Sequence, residues 1–561
     1  MILLHLIVVW MVYRVANLLT GNHWTALFAM ATFGLMPQQA QVVIWSTVTD
    51  LPMNAAFELA AFEFYLRSRS SPASDPIRRK DILLSLAFFV CALGSYDSAI
   101  TFPLLIAVYA ILFPAVKNPS PAAVRTLAAR IGAVLLEVWP YLIVITAYLA
   151  VRIVVLGSIT PSFPHNAMTA REMALTIPSA FWGYAMLLVM PWRAFPAAHN
   201  LEIVNSIAAS GFILPVAGLI GISGMAIVAF RRHPHRRLYL FCAAWVLIAL
   251  APALDLRGLR ADLTIADRYL YFPAFGFCVM FADWAVSLAD AGKVRVEWVQ
   301  IGSVVVVVIL GAMLFHDEQY WRDDLALYSH AVEEFPEVGI WHTRLGLILA
   351  SKGDFQGARR ELESGTTTDP DTDGNALYAL GLVYEELGDR ALAEKAMVKG
   401  LSRFDHPPLV AYTELAIAAD AAGDSIRADK TLSALIEQPG GPEAAALTRA
   451  KLLFIHGDAN GSEKTLRELL KLDPNYTPAL IFLGTALSSG DRYAEALDEF
   501  RRASSLAPYD PDLHYQVALM LHQLGRDPEA RAECKIALAQ APDDKRAHAL
   551  MAAIQGPAGK L

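Results

Sequence analysis

The sequence predicts an all-α protein in two parts: a polytopic bundle of about ten membrane helices over residues 1–315, then a helical-repeat solenoid over residues 316–561. Three observations predict it. Up to residue 315, apolar runs recur that are too long for a soluble domain, and a membrane helix needs ~20 mostly apolar residues. Beyond residue 315 the chain turns polar and repeats with a period of about 34 residues. The charge divides at the same place, net +6 before it and −14 after it, which the overall value of −8 conceals.

The apolar runs lie near residues 1–20, 24–45, 51–66, 82–94, 98–116, 131–156, 208–230, 238–254, 268–290 and 298–315. The run at 82–94 is short and can join its neighbour through Ser95, Tyr96, Asp97 and Ser98. A further short run at 179–191 reads as an interfacial or re-entrant helix rather than a span. Four basic clusters alternate with these runs: Arg67 to Lys80, Lys117 to Arg130, Arg231 to Arg237, and Lys293 with Arg295. With ten spans all four fall on one side, which the excess of positive charge in cytoplasmic loops makes the cytoplasm. Segments 46–50, 95–98, 157–207 and 255–267, and everything after 315, then face outward. That places the repeats in the periplasm of a bacterial inner-membrane protein.

In the second part, Gly-Asp pairs stand at Gly353, Gly388, Gly423, Gly457 and Gly490, and Gly525-Arg526 follows, at spacings of 35, 35, 34, 33 and 35 residues. Each glycine is expected at a turn between two helices, where a positive φ is cheap without a side chain. Leu345-Gly346, Leu380-Gly381 and Leu483-Gly484 mark first helices; Ala358, Ala391, Ala496 and Ala530 are the expected small residues of second helices. Pro336, Pro370, Pro474, Pro508 and Pro542 close units, because proline ends a helix. This is the tetratricopeptide-repeat pattern, in about six repeats. Such repeats stack into a superhelix whose concave face suits a protein or peptide partner. The other role open to them is a rigid spacer.

An acidic repeat region excludes nucleic acid as a partner, since phosphate binding needs a cationic face. The four cysteines, Cys91, Cys242, Cys278 and Cys534, show no motif spacing and predict neither disulfide nor zinc site. No metal-ligand cluster, P-loop, nucleophile elbow or dinucleotide fingerprint is present. The candidate site residues are ionisable groups near the outer membrane surface, where charge is costly and rarely idle. They are Asp50 beside Trp45; Asp97; Asp262, Asp267, Arg268, Tyr269 and Tyr271; and His165, Arg171, Glu172, Trp192, Arg193 and His199 in the long outer loop. An arginine fork or a histidine there could hold a lipid-linked phosphate, and a carboxylate could act as base on an acceptor hydroxyl. The competing readings are structural: Asp267-Arg268 as a helix-start pair, Asp50 and Asp97 as helix caps, and the tryptophans and tyrosines as interfacial anchors.

The run Asp267-Arg268-Tyr269-Leu270-Tyr271-Phe272-Pro273-Ala274-Phe275-Gly276-Phe277 resembles a motif of the transmembrane and tetratricopeptide-repeat O-mannosyltransferases and their bacterial relatives, membrane glycosyltransferases of the GT-C class. Residues 36–66, 94–109 and 321–336 match further segments of that family in order. The resemblance implies a GT-C-like bundle, a dolichyl- or polyprenyl-phosphate sugar as donor substrate, no certain cofactor, and a protein hydroxyl as acceptor. Of the candidates, the resemblance carries over Asp50, Asp97 and the Asp267-Arg268 pair; Asp267, Arg268, Tyr269 and Tyr271 are then donor-binding candidates, with His165 and Arg171 of the outer loop beside them on their chemistry alone, and Asp50 and Asp97 are the catalytic candidates. In the family an acidic motif between the first two membrane helices supplies the catalytic carboxylate. Residues 1–20 resemble the second helix, so the expectation is that this loop is absent from these residues and the chain as given lacks full activity. Met36, Gln41 and Tyr96 depart from the family's His, Glu and Lys in the same direction. The alternative function is a non-catalytic, membrane-anchored scaffold whose repeats assemble envelope proteins.

Overall fold

The computed structural model describes residues 1–45, 48–72, 75–114, 127–157, 168–194, 203–256, 265–290, 292–368, 374–403 and 408–555. Among these the regular elements are α-helices and short 3-10 turns, without strands. The chain divides into two compact units, Met1–Val338 and Gly339–Leu561.

In the first unit α1 (Ile2–Thr20) ends on Gly21, whose φ of 67° turns the chain, and Asn22 caps α2 (His23–Leu35) by accepting from the Trp24 and Thr25 amides. Met36 is extended before Pro37, as a residue preceding proline must be. This breaks α2 from the 3-10 turn Pro37–Gln39 and α3 (Ala40–Ile44), and the chain bends by 57°. There follow α4 (Asp50–Ser70), α5 (Pro76–Ser95), the 3-10 turn Asp97–Thr101, α6 (Phe102–Leu112), α7 (Leu127–Leu156) and α8 (Ala170–Val189). Next come α9 (Ser210–Phe230), α10 (Arg236–Leu250), the 3-10 turn Asp267–Leu270, α11 (Ala274–Asp290), α12 (Val296–Asp317) and α13 (Asp324–Glu334).

Aromatic side chains dominate the core of this unit. Phe62 of α4 packs on Trp245 and Phe241 of α10, with ring centroids 5.3 and 5.6 Å apart, and Phe89 of α5 stacks on Phe102 of α6 at 5.2 Å. By contrast, only 6% of α9 and 6% of α12 is buried, although both are apolar on every side. Bare apolar surface of that extent cannot face water. A bilayer is the solvent that matches it, and the first unit is a membrane-embedded helical bundle.

Among the described residues six helices are long and apolar enough to cross a membrane, or seven with the bent pair His23–Leu35 and Pro37–Ile44. The other expected runs form α4, α5, α6 and α11. Here α6 and α11 are short, and α4 carries Asn54, Glu58 and Glu63 inside the bundle. The runs at 82–94 and 98–116 do not join, because Tyr96 is extended (φ −156°, ψ 136°) and a 3-10 turn follows it. The run at 179–191 is the second half of the 20-residue α8, started nine residues earlier by a capping box between Thr169 and Glu172. It packs against α9, where the Ser179 hydroxyl donates to the Gly211 carbonyl, and against connecting segments, where the Val204 amide donates to Thr176 Oγ1 and Gln38 donates to the Leu187 carbonyl.

The second unit is a tetratricopeptide-repeat solenoid. Six helical hairpins follow one another: α14 with α15 (Gly339–Ser351, Phe355–Thr368), α16 with α17 (Gly374–Glu386, Arg390–Leu401) and α18 with α19 (Leu409–Ala421, Ser425–Ile436). Then come α20 with α21 (Gly441–Ile455, Ala459–Leu472), α22 with α23 (Thr477–Ser489, Tyr493–Leu506) and α24 with α25 (Pro511–Gln523, Asp527–Gln540), before a final helix α26 (Lys545–Gln555). Five of the six turns place the expected glycine at positive φ. The fifth does not: α22 runs one residue further, Gly490 has φ −98°, and Asp491 takes φ 56°.

That shift explains the spacing of the small residues in the second helices. Counted five positions from the residue with positive φ, they are Ala358, Ala393, Ala428, Ser462, Ala496 and Ala530, all buried. Ala391, the residue expected from sequence, is exposed, and Ala393 fills its place. Gly423→Ala is therefore expected to destabilise the repeat unit by about 1–2 kcal/mol, the cost of a side chain in the left-handed region. Gly490→Ala is expected to be neutral or stabilising by up to ~1 kcal/mol, since its Cβ would meet nothing nearer than 3.6 Å. Chemical denaturation of the two variants checks the contrast.

Candidate active site

The site is built where the helices of the first unit end. Asp50 opens α4, Tyr96 closes α5, Asp255 follows the 3-10 turn after α10, and the 3-10 turn Asp267–Leu270 leads into α11. These ends surround a cleft of about 450 Å³. Its apolar lining is Leu51, Ala249, Pro252, Ala253, Phe272 and Pro273. The polar lining is Asn54, Glu58, Tyr96, Asp97, Ser98, Thr101, Asp255, Arg268, Tyr269 and Tyr271.

The 267–277 run owes its shape to close packing. A Cβ on Gly276 would lie 2.6 Å from the Cys242 carbonyl oxygen, so only glycine lets α11 lie this near α10. The Trp245 indole donates to the Phe272 carbonyl at 3.1 Å, and the Tyr271 hydroxyl meets Nδ1 of His5 at 2.8 Å. The Arg268 amide donates to Oε1 of Gln41 at 2.9 Å, which ties the turn to the segment after Pro37.

Held in this way, the Arg268 guanidinium lies over the rings of Tyr269 and Trp45, 5.0 and 5.9 Å from their centroids. No carboxylate pairs with it among the described residues. It is a stacked, half-buried cation facing a cleft, and planar guanidinium donors suit phosphate oxygens. Asp97 is placed differently. Its carboxylate accepts from Arg152 at 2.5 Å and from the Tyr148 hydroxyl, so its charge is already compensated. Burial pushes the Tyr96 hydroxyl up to about 12, helped by Tyr269, Asp50 and Asp97 and opposed by Arg268. Tyr96 therefore stays a hydrogen-bond donor across the physiological range.

Of the site residues expected from sequence, Asp97, Arg268, Tyr269 and Tyr271 come together in the cleft, and Asp50 sits beside it near Tyr96. Asp267 is buried and does not line the cleft. Arg171 is exposed at the start of α8, and Glu172 serves the capping box there. His165, His199 and Asp262 lie outside the described residues. Trp192 and Arg193 form a 3-10 turn after α8, away from the cleft lining. Sequence reasoning missed Asn54, Glu58, Ser98 and the Arg152 partner of Asp97. The available signal for the first two was a carboxylate and an amide inside the apolar run at 51–66.

The tetratricopeptide-repeat family matches residues 374–404, 447–511 and 486–554. Protein O-mannosyl-transferase Tmtc3 of Drosophila melanogaster is 23% identical over 288 residues, covering 48% of this chain and 30% of that protein. The human protein O-mannosyl-transferase TMTC3 is 22% identical over 267 residues, covering 47% and 27%. Protein O-mannosyl-transferase Tmtc1 of Drosophila melanogaster is 25% identical over 342 residues, covering 51% and 39%. The chain resembles these O-mannosyl-transferases. It spans less than two fifths of the length of each. A tetratricopeptide-repeat protein of Thermus thermophilus, TTC0263, aligns over 39% of this chain and 98% of its own, at 20% identity and a TM-score of 0.26, too low to carry an argument. The protein is thus a membrane-embedded, glycosyltransferase-like chain bearing tetratricopeptide repeats, which are generally protein-interaction modules.

Proposed function

We propose that the protein binds a polyprenyl-phosphate-linked sugar in the cleft and transfers the sugar to a hydroxyl of a protein captured by the repeats. Arg268 carries this reading: a stacked cation with no carboxylate partner among the described residues faces a cleft with both apolar and polar lining. The apolar part of the lining suits the isoprenoid, and Arg268 suits the phosphate. In the transfer the bond from the sugar's anomeric carbon to the phosphate oxygen breaks and a bond to the acceptor oxygen forms. The acceptor proton passes to a carboxylate, and the lipid phosphate leaves with an added negative charge next to the guanidinium. The membrane domain spans residues 1–315 and the repeat domain residues 316–561, with the cleft and repeats on the outer, periplasmic side of a bacterial inner membrane.

The second reading is a scaffold without catalysis, and the placement of Asp97 favours it, because both of its carboxylate oxygens are already taken up by Arg152 and Tyr148. The two readings part on one experiment. Labelled sugar supplied on a polyprenyl phosphate moves to protein if the first holds and stays on the lipid if the second does.

A further inference from the structure

The floor of the cleft is formed by one turn of α4. Asn54 and Glu58 stand four residues apart, on the same face of the helix, and are 2% and 1% exposed. The Asn54 amide nitrogen donates to Oε1 of Glu58 at 2.6 Å and to Oγ of Ser98 at 3.3 Å. That uses both of its hydrogens. Two oxygens remain, Oε2 of Glu58 and Oδ1 of Asn54, with no hydrogen-bond partner among the described residues. A buried acceptor without a donor is costly, and a carboxylate inside a membrane bundle more so. Both side chains line the cleft.

We infer that Asn54, Glu58 and Ser98 form a subsite for the hydroxyl groups of a saccharide. The subsite has two open acceptors one helical turn apart and, in the Ser98 hydroxyl, a donor next to them. Adjacent sugar hydroxyls supply and accept hydrogen bonds in that combination. A divalent cation fits poorly, because it takes several oxygen ligands and no group of three or more metal-binding side chains occurs among the described residues. The same cleft holds Arg268, so it offers an anion-binding group and a hydroxyl-binding group to one ligand, as a glycosyl phosphate requires. This inference rests on the functional reading above and names the part of the substrate that the floor would recognise.

The test compares two probes, polyprenyl phosphate and polyprenyl-phosphate mannose of the same isoprenoid length, binding to the full chain in lipid nanodiscs. The wild-type protein is expected to bind the mannose lipid more tightly than the bare lipid. Glu58→Gln puts a donor where an acceptor is needed and is expected to lower affinity for the mannose lipid about tenfold or more, leaving the bare lipid unchanged. Ser98→Ala, a milder change at the cleft rim, is expected to move the same way. Glu58→Leu removes the buried carboxyl group and is expected to abolish the preference while raising the melting temperature of the ligand-free protein, which separates lost recognition from lost folding. If the Glu58 and Ser98 variants keep the wild-type preference, the subsite is overturned and the function stands. A wild-type protein that binds both lipids equally also overturns the subsite while leaving the phosphate site at Arg268. If the wild-type protein binds neither lipid, the functional reading falls, and the subsite with it.

Discussion

Arg268→Ala is expected to lower affinity for a polyprenyl-phosphate sugar by on the order of 10–100-fold, the worth of a charge-assisted hydrogen bond in a site shielded from water. The loss should appear equally with the bare polyprenyl phosphate, because the guanidinium is assigned to the phosphate and not to the sugar. Arg268→Lys is expected to fall between wild type and alanine. It keeps the charge but loses the planar fork and the stacking on Trp45 and Tyr269. The fold should survive both changes, since the turn is fixed through the Arg268 backbone amide and Gln41 rather than through the side chain. Isothermal titration or microscale binding with the protein in nanodiscs measures the effect. Wild-type affinity in Arg268→Ala would remove the phosphate site from the account.

Phe500→Ala is expected to have the largest effect on the second unit. Phe500 is 1% exposed, and its ring lies against Gly484, where an added Cβ would come within 2.9 Å of it. The ring thus fills the space that Gly484 leaves open between α22 and α23. Truncating a buried phenylalanine costs about 3–5 kcal/mol, from lost burial and the cavity left behind. In a solenoid each repeat contacts its neighbours only, so the damage should be local. Hydrogen exchange is expected to show lost protection across α22 to α24, with residues 374–403 unchanged. Loss spread evenly over all repeats would contradict the stacked, nearest-neighbour packing described above.

The repeats were legible because their constraints are local. A glycine at a turn and a proline two residues past a helix end act within a few residues, and the period follows from counting. The errors were of phase. Gly490 looks like its counterparts, yet α22 continues through Ser489 and the left-handed residue becomes Asp491. Only the burial of Ala496, five residues later, shows the shift.

The membrane unit was legible in class and less so in detail. Hydropathy identifies helices whose surfaces meet lipid, such as α9 and α12, and is weakest for helices covered by protein, such as α4. The cleft also followed in part. Arg268 and Tyr269 lie in a motif that invites attention. Asp267 looks equivalent on paper, but successive side chains in a 3-10 turn point about 120° apart, so one residue faces the cleft and its neighbour faces the interior. Glu58 is a single carboxylate within an apolar run, and its environment depends on Asn54 and Ser98, the latter 40 residues away in the chain.

The central claim is that this chain passes a sugar from a lipid phosphate to a protein. It is tested most directly by incubating the full-length protein in nanodiscs with polyprenyl-phosphate mannose radiolabelled in the sugar and a membrane extract of acceptor proteins, then counting label in the protein fraction. The account predicts label in protein with the wild-type chain and its loss in Arg268→Ala. Saturable lipid binding with all label remaining on the lipid would contradict the account and favour the scaffold.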